Sequence, residues 1–332
     1  MATVAIGSRD TVAARSTVDR VLLREFLERD RLFAAYAICD LGEREFPRTR
    51  WGIATDGGEP VAIALEYSGL TPQPMFVMGE PEGIAAILRD VVRPRAAYVA
   101  ASSSSLPAVA RHYRVEPGPE MIRMWVDRGT FQPLTARVER LLPVEVHDLN
   151  RLYQLGFAAW LPSSAVAEGV YYGIRVNGRL IAAAGTHVVS REAGLAVVGN
   201  VLTHVEHRGR GYAKAVTSAV TAELLRYCEQ VVLNVRADNP PAIAAYRRLG
   251  YEEYCRFEER LARRTSPAWP DLTSSFRRLF AGLRRPSAAP PPVDQAHPMN
   301  PSAAQPPPAD QPPSAEPSSV SPEADAPAEE PA

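Results

Sequence analysis

Two glycines stand where a strand hands over to a helix. In "THVEHRGRGYAKAVTSAV", residues 203–220, Arg208-Gly209-Arg210-Gly211 separates a β-like run ending near Val205 from a helical run beginning near Tyr212. Glycine loses more backbone freedom on folding than any other residue and brings no side chain to pack. Its use twice in four positions marks a place where bare backbone is needed. The first N–H groups of a helix have no partner inside it, and the helix dipole is positive at that end. A strand–glycine–helix elbow therefore suits an anion. With no Cβ at 209 and 211 a bulky phosphate can approach the amides, and Arg208, Arg210 and Lys214 add positive charge; a pyrophosphate fits. The elbow is not a Walker loop, which needs G-x-x-x-x-G-K-[ST]. It is not a dinucleotide fingerprint either, because Ala213-Lys214 stands where the third glycine would be. The plain alternative is a surface turn with no ligand.

The elbow sits in a chain whose element order repeats. After a helical pattern, "VDRVLLREFLERDRLFAAYAI", come the strands "RWGIAT", "PVAIALEY" and "PMFVMG", a helix "EGIAAILRDVV", the strand "AAYVAA", a helix near "LPAVARHY" and the strand "EMIRMWVD". The second half runs through the helix "VHDLNRLYQLGFAAW" and the strands "GVYYGIRV", "RLIAAAGTHVV" and "GLAVVGNVLTHV" to the elbow helix. The strand "QVVLNVRA", the helix "NPPAIAAYRRLG" and the strand "YEEYCRFEERLA" close it. Asn177-Gly178 between two of these strands is a strong short hairpin signal. Both halves are read as ending in strand, a helix carrying Tyr (Tyr113; Tyr246), then strand: an α/β mixed sheet, duplicated. The first half lacks the elbow; "VMGEPEGIAA" stands in its place. Any two mixed α/β domains of this size would also look alike at this level of detail.

No N-terminal apolar run resembles a signal peptide, and no stretch reaches the ~20 apolar residues of a membrane span. Cys39, Cys228 and Cys255 are odd in number and lack CxxC spacing, against a disulfide framework or a zinc site. The expectation is a cytoplasmic protein with no metal. Net charge is −1, yet seven acids and no Lys or Arg follow Pro286, so residues 1–285 carry +6. That suits a small polyanion; nucleic acid would call for denser basic clusters. Lys214 is the only lysine. Residues 286–332, rich in Pro, Ala and Ser, read as disordered. Leu272, Phe276, Leu279, Phe280 and Leu283 give 271–285 one apolar helical face, which either docks on the body or touches a membrane surface or partner.

The pieces together resemble the GCN5-related N-acetyltransferase (GNAT) superfamily, and within it the FR47-like branch. The family's R/Q-x-x-G-x-G/A loop falls on Arg208, Gly211 and Ala213. Its Asn after the next strand falls on Asn239, and the Tyr of A-x-x-x-Y-x-x-L-G-F/Y on Tyr246, with Leu249-Gly250-Tyr251 following. The match covers roughly residues 145–260. The resemblance implies a GNAT fold, as tandem lobes: a flexible N-terminus at 1–17, a degenerate GNAT-like lobe at 18–130, an acetyltransferase domain at 131–264, a short basic amphipathic region at 265–285 and the tail.

It further implies acetyl-CoA as co-substrate and direct acyl transfer to a primary amine of a small molecule or peptide. The alternative is a non-catalytic acyl-CoA-binding or regulatory module. The pyrophosphate would lie on Arg208, Gly209, Arg210, Gly211, Tyr212, Ala213 and Lys214, with Asn239 a cofactor contact or only a helix cap. The pantetheine arm would pair with the backbone of Leu202, Thr203 and Val205, where two parallel strands splay apart. Tyr246 would protonate the leaving thiolate, a nearly balanced step that a small drop in its pKa would ease, or would be a core aromatic. The base is drawn from His187, His204, Glu206, Glu168 and Asn200. His204 is the choice for its unperturbed pKa, against the alternative that it faces outward. Trp160, Tyr171 and Tyr172 line an acceptor pocket or are ordinary core. A homodimer is left open.

Overall fold

The computed structural model describes residues 12–154 and 161–265. Trp160, the amphipathic stretch at 271–285, the tail at 286–332 and most of the N-terminal segment lie outside the described residues.

The first half comprises β1 (Ala13–Ser16), α1 (Arg20–Leu27), α2 (Ala35–Cys39), β2 (Thr49–Asp56), β3 (Glu59–Tyr67), β4 (Gln73–Gly79), α3 (Pro81–Asp90), β5 (Ala96–Ala101), α4 (Leu106–Ala110), β6 (Tyr113–Val115) and β7 (Glu120–Asp127). The second half comprises β8 (Glu139–Arg140), α5 (Val146–Tyr153), α6 (Ser163–Glu168), β9 (Tyr172–Val176), β10 (Arg179–Ser190), β11 (Leu195–Thr203), α7 (Tyr212–Leu224), β12 (Gln230–Arg236), α8 (Pro240–Arg247) and β13 (Glu252–Arg264).

Every strand read from the sequence is present. Residues 13–16, inside the stretch expected to be flexible, instead pair with β2 as an edge strand. Tyr113 is not on a helix: α4 stops at Ala110 and Tyr113 opens β6. The long first helical pattern breaks in two. Asp19 caps α1, its carboxylate accepting from the amides of Val21 and Leu22. No helix among the described residues is long and apolar enough to cross a membrane.

All strands join one sheet in the order β1-β2-β3-β4-β5-β13-β7-β12-β11-β10-β9-β8, with β6 beside β13. Each half contributes one parallel pair, β4 with β5 and β11 with β12. The halves also exchange their last strands. β7 lies against β12 of the second half, and β13 lies against β5 and β6 of the first. The boundary near residue 130 therefore divides the sequence but not the sheet.

Both sheet faces are covered, which explains why β2 and β12 have unbroken buried runs, Trp51–Ala54 and Val231–Leu233, rather than strict alternation. On one face α1 and α2 cover a core drawn from both halves, including Trp51, Ile53, Phe76, Val197, Val232 and Phe257. On the other, α3 and α4 cover Ala54, Ala62, Met75 and Val99 of the first half. There α7 and α8 cover Ile122, Val198, Val231 and Leu233. Buried Arg123 of β7 crosses between the halves beneath α2. Its Nη1 donates to the Leu32 carbonyl at 3.0 Å and its Nε to Asn234 Oδ1 at 3.0 Å.

The exchange has a direct consequence. A fragment of residues 131–265 lacks β7, so one edge of β12 and one of β13 are bare, and bare edges seek partners. The fragment should self-associate or stay unfolded, and adding residues 12–130 should restore a cooperative melt. A monomeric fragment unfolding cooperatively at the temperature of the full chain, judged by sedimentation and circular dichroism, would contradict this.

Candidate active site

β11 and β12 run side by side from Leu195↔Gln230 to Val198↔Leu233. Beyond that rung β11 follows β10 as far as Thr203, and β12 follows β7 as far as Arg236. From Gly199 and Asn234 onward, facing backbone edges are no longer paired with each other.

The parting coincides with a bulge. Between Gly185↔Gly199 and Ala183↔Leu202 the bulged strand has one extra residue, and Asn200 takes a φ of 52°. Gly199 and Gly185 leave room for ring side chains. A Cβ at 199 would stand 2.2 Å from His187 Nε2, and one at 185 would stand 2.1 Å from the Tyr171 ring.

The elbow closes the open end. Gly209 and Gly211 have φ of 78° and 80°, and a Cβ on either would meet nothing within 4 Å. Here glycine serves backbone conformation and outward access, not close packing. Gly211 is the N-cap of α7 and supplies no side-chain cap to the first turn. Arg208, Gly209 and Arg210 are exposed, while Tyr212, Ala213 and Lys214 of the first turn are half-buried. Arg208 Nε donates to the Thr203 carbonyl at 3.3 Å.

Two buried polar atoms next to this turn, Thr203 Oγ1 and His207 Nδ1, have no partner among the described residues. Such groups are scarce in folded proteins, and both lie in the segment where a ligand would enter. Uncapped amides, open space, positive charge and orphaned polar atoms together fit an extended polyanionic ligand with polar arms.

The remaining expected residues separate into groups. Thr203 lies on β11 as read, but ends it, two residues short of the Val205 expected. Leu202 is buried beneath α5, so only its backbone is available. Val205 is not on the strand: it lies in a short 3₁₀ turn, 56 % exposed, and its carbonyl accepts from the Arg208 amide. It does not extend the open edge. Asn239 caps α8, its Oδ1 accepting from the Ala242 amide at 3.3 Å.

Tyr246 is buried among Val235, Ile243, Leu249 and Tyr251 on the α7–α8 face. Burial pushes its phenol up to about 12, not down. His204 lies elsewhere. It lines a cavity of about 370 Å³ with Asp148, Arg151, Leu152, Arg179 and Leu180, between α5 and the β9–β10 hairpin. Its Nε2 is 3.1 Å from an Arg179 guanidinium nitrogen and its Nδ1 accepts the Glu206 amide at 3.4 Å. His204, Glu206 and His207 have ligand atoms within 4.8 Å of one another. With both His204 nitrogens engaged, one by a cation, the trio is a poor cation site.

The sequence reading missed two polar groupings on the α1–α2 face of the sheet. In one, Asn234, the first β12 residue past the last parallel rung, donates from Nδ2 to Glu259 Oε1 at 3.1 Å. Burial, partly offset by Arg123, raises the Glu259 carboxyl to about 7. In the other, His187 bridges Tyr36 and Asn200. His187 and Asn200 were both named as candidate bases, but nothing in the sequence joined them, and Gly199-Asn200, a glycine inside a strand pattern, was the one local sign of the bulge.

A sequence profile of the FR47-like protein family matches residues 171–261. No curated protein matches the chain. Among solved structures, a GCN5-related N-acetyltransferase from Sphaerobacter thermophilus is 16% identical. It superposes with a TM-score of 0.53, covering 78% of this chain and 97% of that one. A Drosophila protein is 12% identical, with a TM-score of 0.55, covering 76% and 98%. The fold is that of the GNAT superfamily. Within the GNAT fold, the parted parallel strands and the glycine elbow lie in the FR47-matching segment.

His187 offers a pH test. Burial holds its imidazole near 4, whereas an unfolded histidine titrates near 6.5. Between those values the unfolded chain binds the extra proton, so the stabilising difference is complete above about 6.5 and lost as pH falls toward about 4. Glu259, raised in the fold, acts with the opposite sign, but it is common to wild type and variant. The stability gap between wild type and His187→Gln should therefore shrink from pH 7.5 to pH 5 in urea denaturation. A constant gap would refute the assignment of His187 as buried and neutral.

Proposed function

We propose that the chain is an acyl-CoA-dependent N-acyltransferase of the FR47-like branch, moving an acetyl or related acyl group to a primary amine of a small molecule or peptide. The observation that carries this reading is the parallel pair that parts after Val198↔Leu233 and ends in an uncapped glycine elbow. A diphosphate on the α7 amides would be flanked by Arg208, Arg210 and Lys214. The amide-bearing arm behind it would pair with the free edge of β11 through Leu202 and Thr203, and its remaining polar groups would meet Thr203 Oγ1 and His207 Nδ1.

In this reading the amine nitrogen attacks the thioester carbonyl, the N–C bond forms and the C–S bond breaks. Glu259 takes the proton shed by the amine, either directly or through one water. Its carboxyl, raised to about 7, is well matched to that task near neutrality. His204, turned toward Arg179, is not so placed. Tyr246 gives its proton to the leaving thiolate. A free thiol titrates at about 8.5, below the buried phenol, but the same desolvation raises a thiol brought beside Tyr246. The first lobe is read as not binding the co-substrate.

Calorimetry with coenzyme A is the deciding experiment. The folded protein should bind it, and Arg208→Ala and Arg210→Ala should each raise Kd about tenfold, roughly 1.4 kcal/mol. No heat up to millimolar coenzyme A would end the reading.

With a pooled amine library and thiol detection, Tyr246→Phe should slow turnover about 100-fold, the scale of general acid catalysis, with Kd unchanged. Glu259→Gln should remove the acid limb near pH 7. Turnover by Tyr246→Phe at the wild-type rate would sink the acid assignment.

A further inference from the structure

The bulge at Asn200 is held by a chain of five hydrogen bonds, three of them to Asn200 itself, and the chain begins in the other half of the molecule. Tyr36, on α2 of the first half, has its hydroxyl 2.6 Å from His187 Nδ1. His187 Nε2 is 3.3 Å from Asn200 Oδ1. Asn200 Nδ2 donates to the Tyr171 hydroxyl at 3.0 Å, and that hydroxyl donates to the Thr186 carbonyl at 3.0 Å. From α5, the Tyr153 hydroxyl donates to the backbone carbonyl of Asn200 at 2.8 Å.

The roles along the chain are mutually fixed. Tyr171 spends its proton on Thr186, so it accepts from the Asn200 amide nitrogen. The Asn200 oxygen is thereby turned toward His187, which must carry its proton on Nε2. His187 Nδ1 is then an acceptor, and Tyr36 is its donor. The chain requires a neutral imidazole, as the burial of His187 provides.

Asn200 needs such restraint. Apart from glycines, only Asn177 and Asn200 have positive φ among the described residues. Asn177 belongs to an exposed hairpin turn that favours that conformation. Asn200 lies within a strand, two residues after the last rung between β11 and β12. Its orientation decides which backbone groups of residues 199–203 face the opening.

We propose that Tyr36 and His187 are positioning residues, through which the first lobe fixes the bulge at Asn200 and so presents the open edge of β11. The consequence for acyl transfer rests on the proposed function; the structural claim does not. The first lobe then serves the second lobe's site without contributing a group to the reaction.

The test uses the full chain and two matched deletions of a hydroxyl. Tyr36→Phe removes the donor to His187. Tyr254→Phe removes another bond between the halves, the one from its hydroxyl to Asp30 at 2.6 Å, which involves no residue of the chain. By hydrogen–deuterium exchange, Tyr36→Phe should speed exchange of amides 199–203 about tenfold, as local opening becomes easier. Tyr254→Phe should leave those amides unchanged. Coenzyme A titrated into both variants should show weaker binding only for Tyr36→Phe.

Unchanged exchange at 199–203 in Tyr36→Phe would overturn the proposal, as would equal acceleration in both variants. If exchange responds as expected while the wild type binds no coenzyme A, the positioning claim stands and the proposed function falls.

Discussion

Two strands that pair in parallel and then part are the constraint on which this structure depends. β11 is held on its outer edge by β10 through a bulge, and β12 on its outer edge by β7 in an unbroken register. Once β11 gains a residue at Asn200, the two strands follow different partners, and sheet twist carries them apart. The gap costs ladder hydrogen bonds, which a folded protein tolerates where something else satisfies the exposed groups. Everything suited to a ligand follows the parting: the open edge, the orphaned Thr203 and His207 atoms, and a helix whose first turn is left uncapped by glycine.

Exchange of the final strands makes that opening a property of the whole chain. β7 both flanks β12 and carries Arg123, whose guanidinium is enclosed by the Phe33, Tyr36 and Phe257 rings. A cation without a paired carboxylate is expensive to bury; here carbonyls, an amide oxygen and aromatic faces take the place of a counter-ion. Asn234 is shared, accepting from Arg123 and donating to Glu259. The carboxylate and the guanidinium are thus linked through one side chain at the edge of the opening, with each of the three on a different strand.

Much of this was legible in the sequence because local chemistry wrote it there. The elbow, the Asn177-Gly178 turn, the cap at Asn239 and the order of elements all depend on residues adjacent in the chain. What escaped depends on residues far apart. Nothing near Glu120 says that its strand will leave its own half, because a strand's pattern reports that its faces are buried, not which strands lie beside it. Glu259 reads as one acid in a charged strand; only the exchange sets it beside Asn234. His204 was favoured for its ordinary pKa, a property of the free side chain, whereas its direction is set by Arg179 across the sheet. A small drop in the Tyr246 pKa would have eased proton donation, but the apolar packing that fixes its position raises it instead.

The first half supplies a control within the same chain. β4 and β5 also pair in parallel, to Phe76↔Ala100, and beyond that rung β4 also leaves its parallel neighbour and follows β3 to a glycine before a helix. There the resemblance ends, for electrostatic and steric reasons. At Gly79 a Cβ would stand 2.2 Å from the Val61 carbonyl, so that glycine is packed inward instead of lying open. The Glu80 amide already donates to the same carbonyl, and Pro81 has no N–H to offer. The first turn of α3 contains Glu82, gripped by Arg111 through two bonds of 2.6 and 2.7 Å. A carboxylate at a helix start complements the dipole that an external anion would otherwise use. α3 thus carries its own carboxylate in its first turn, and a diphosphate arriving there would meet that charge, an engaged Glu80 amide and a proline with none to offer. Of these two turns, the one at Gly211 leaves amides, space and positive charge available together, so the asymmetry of the two halves lies in the residues of the turn rather than in the fold they share.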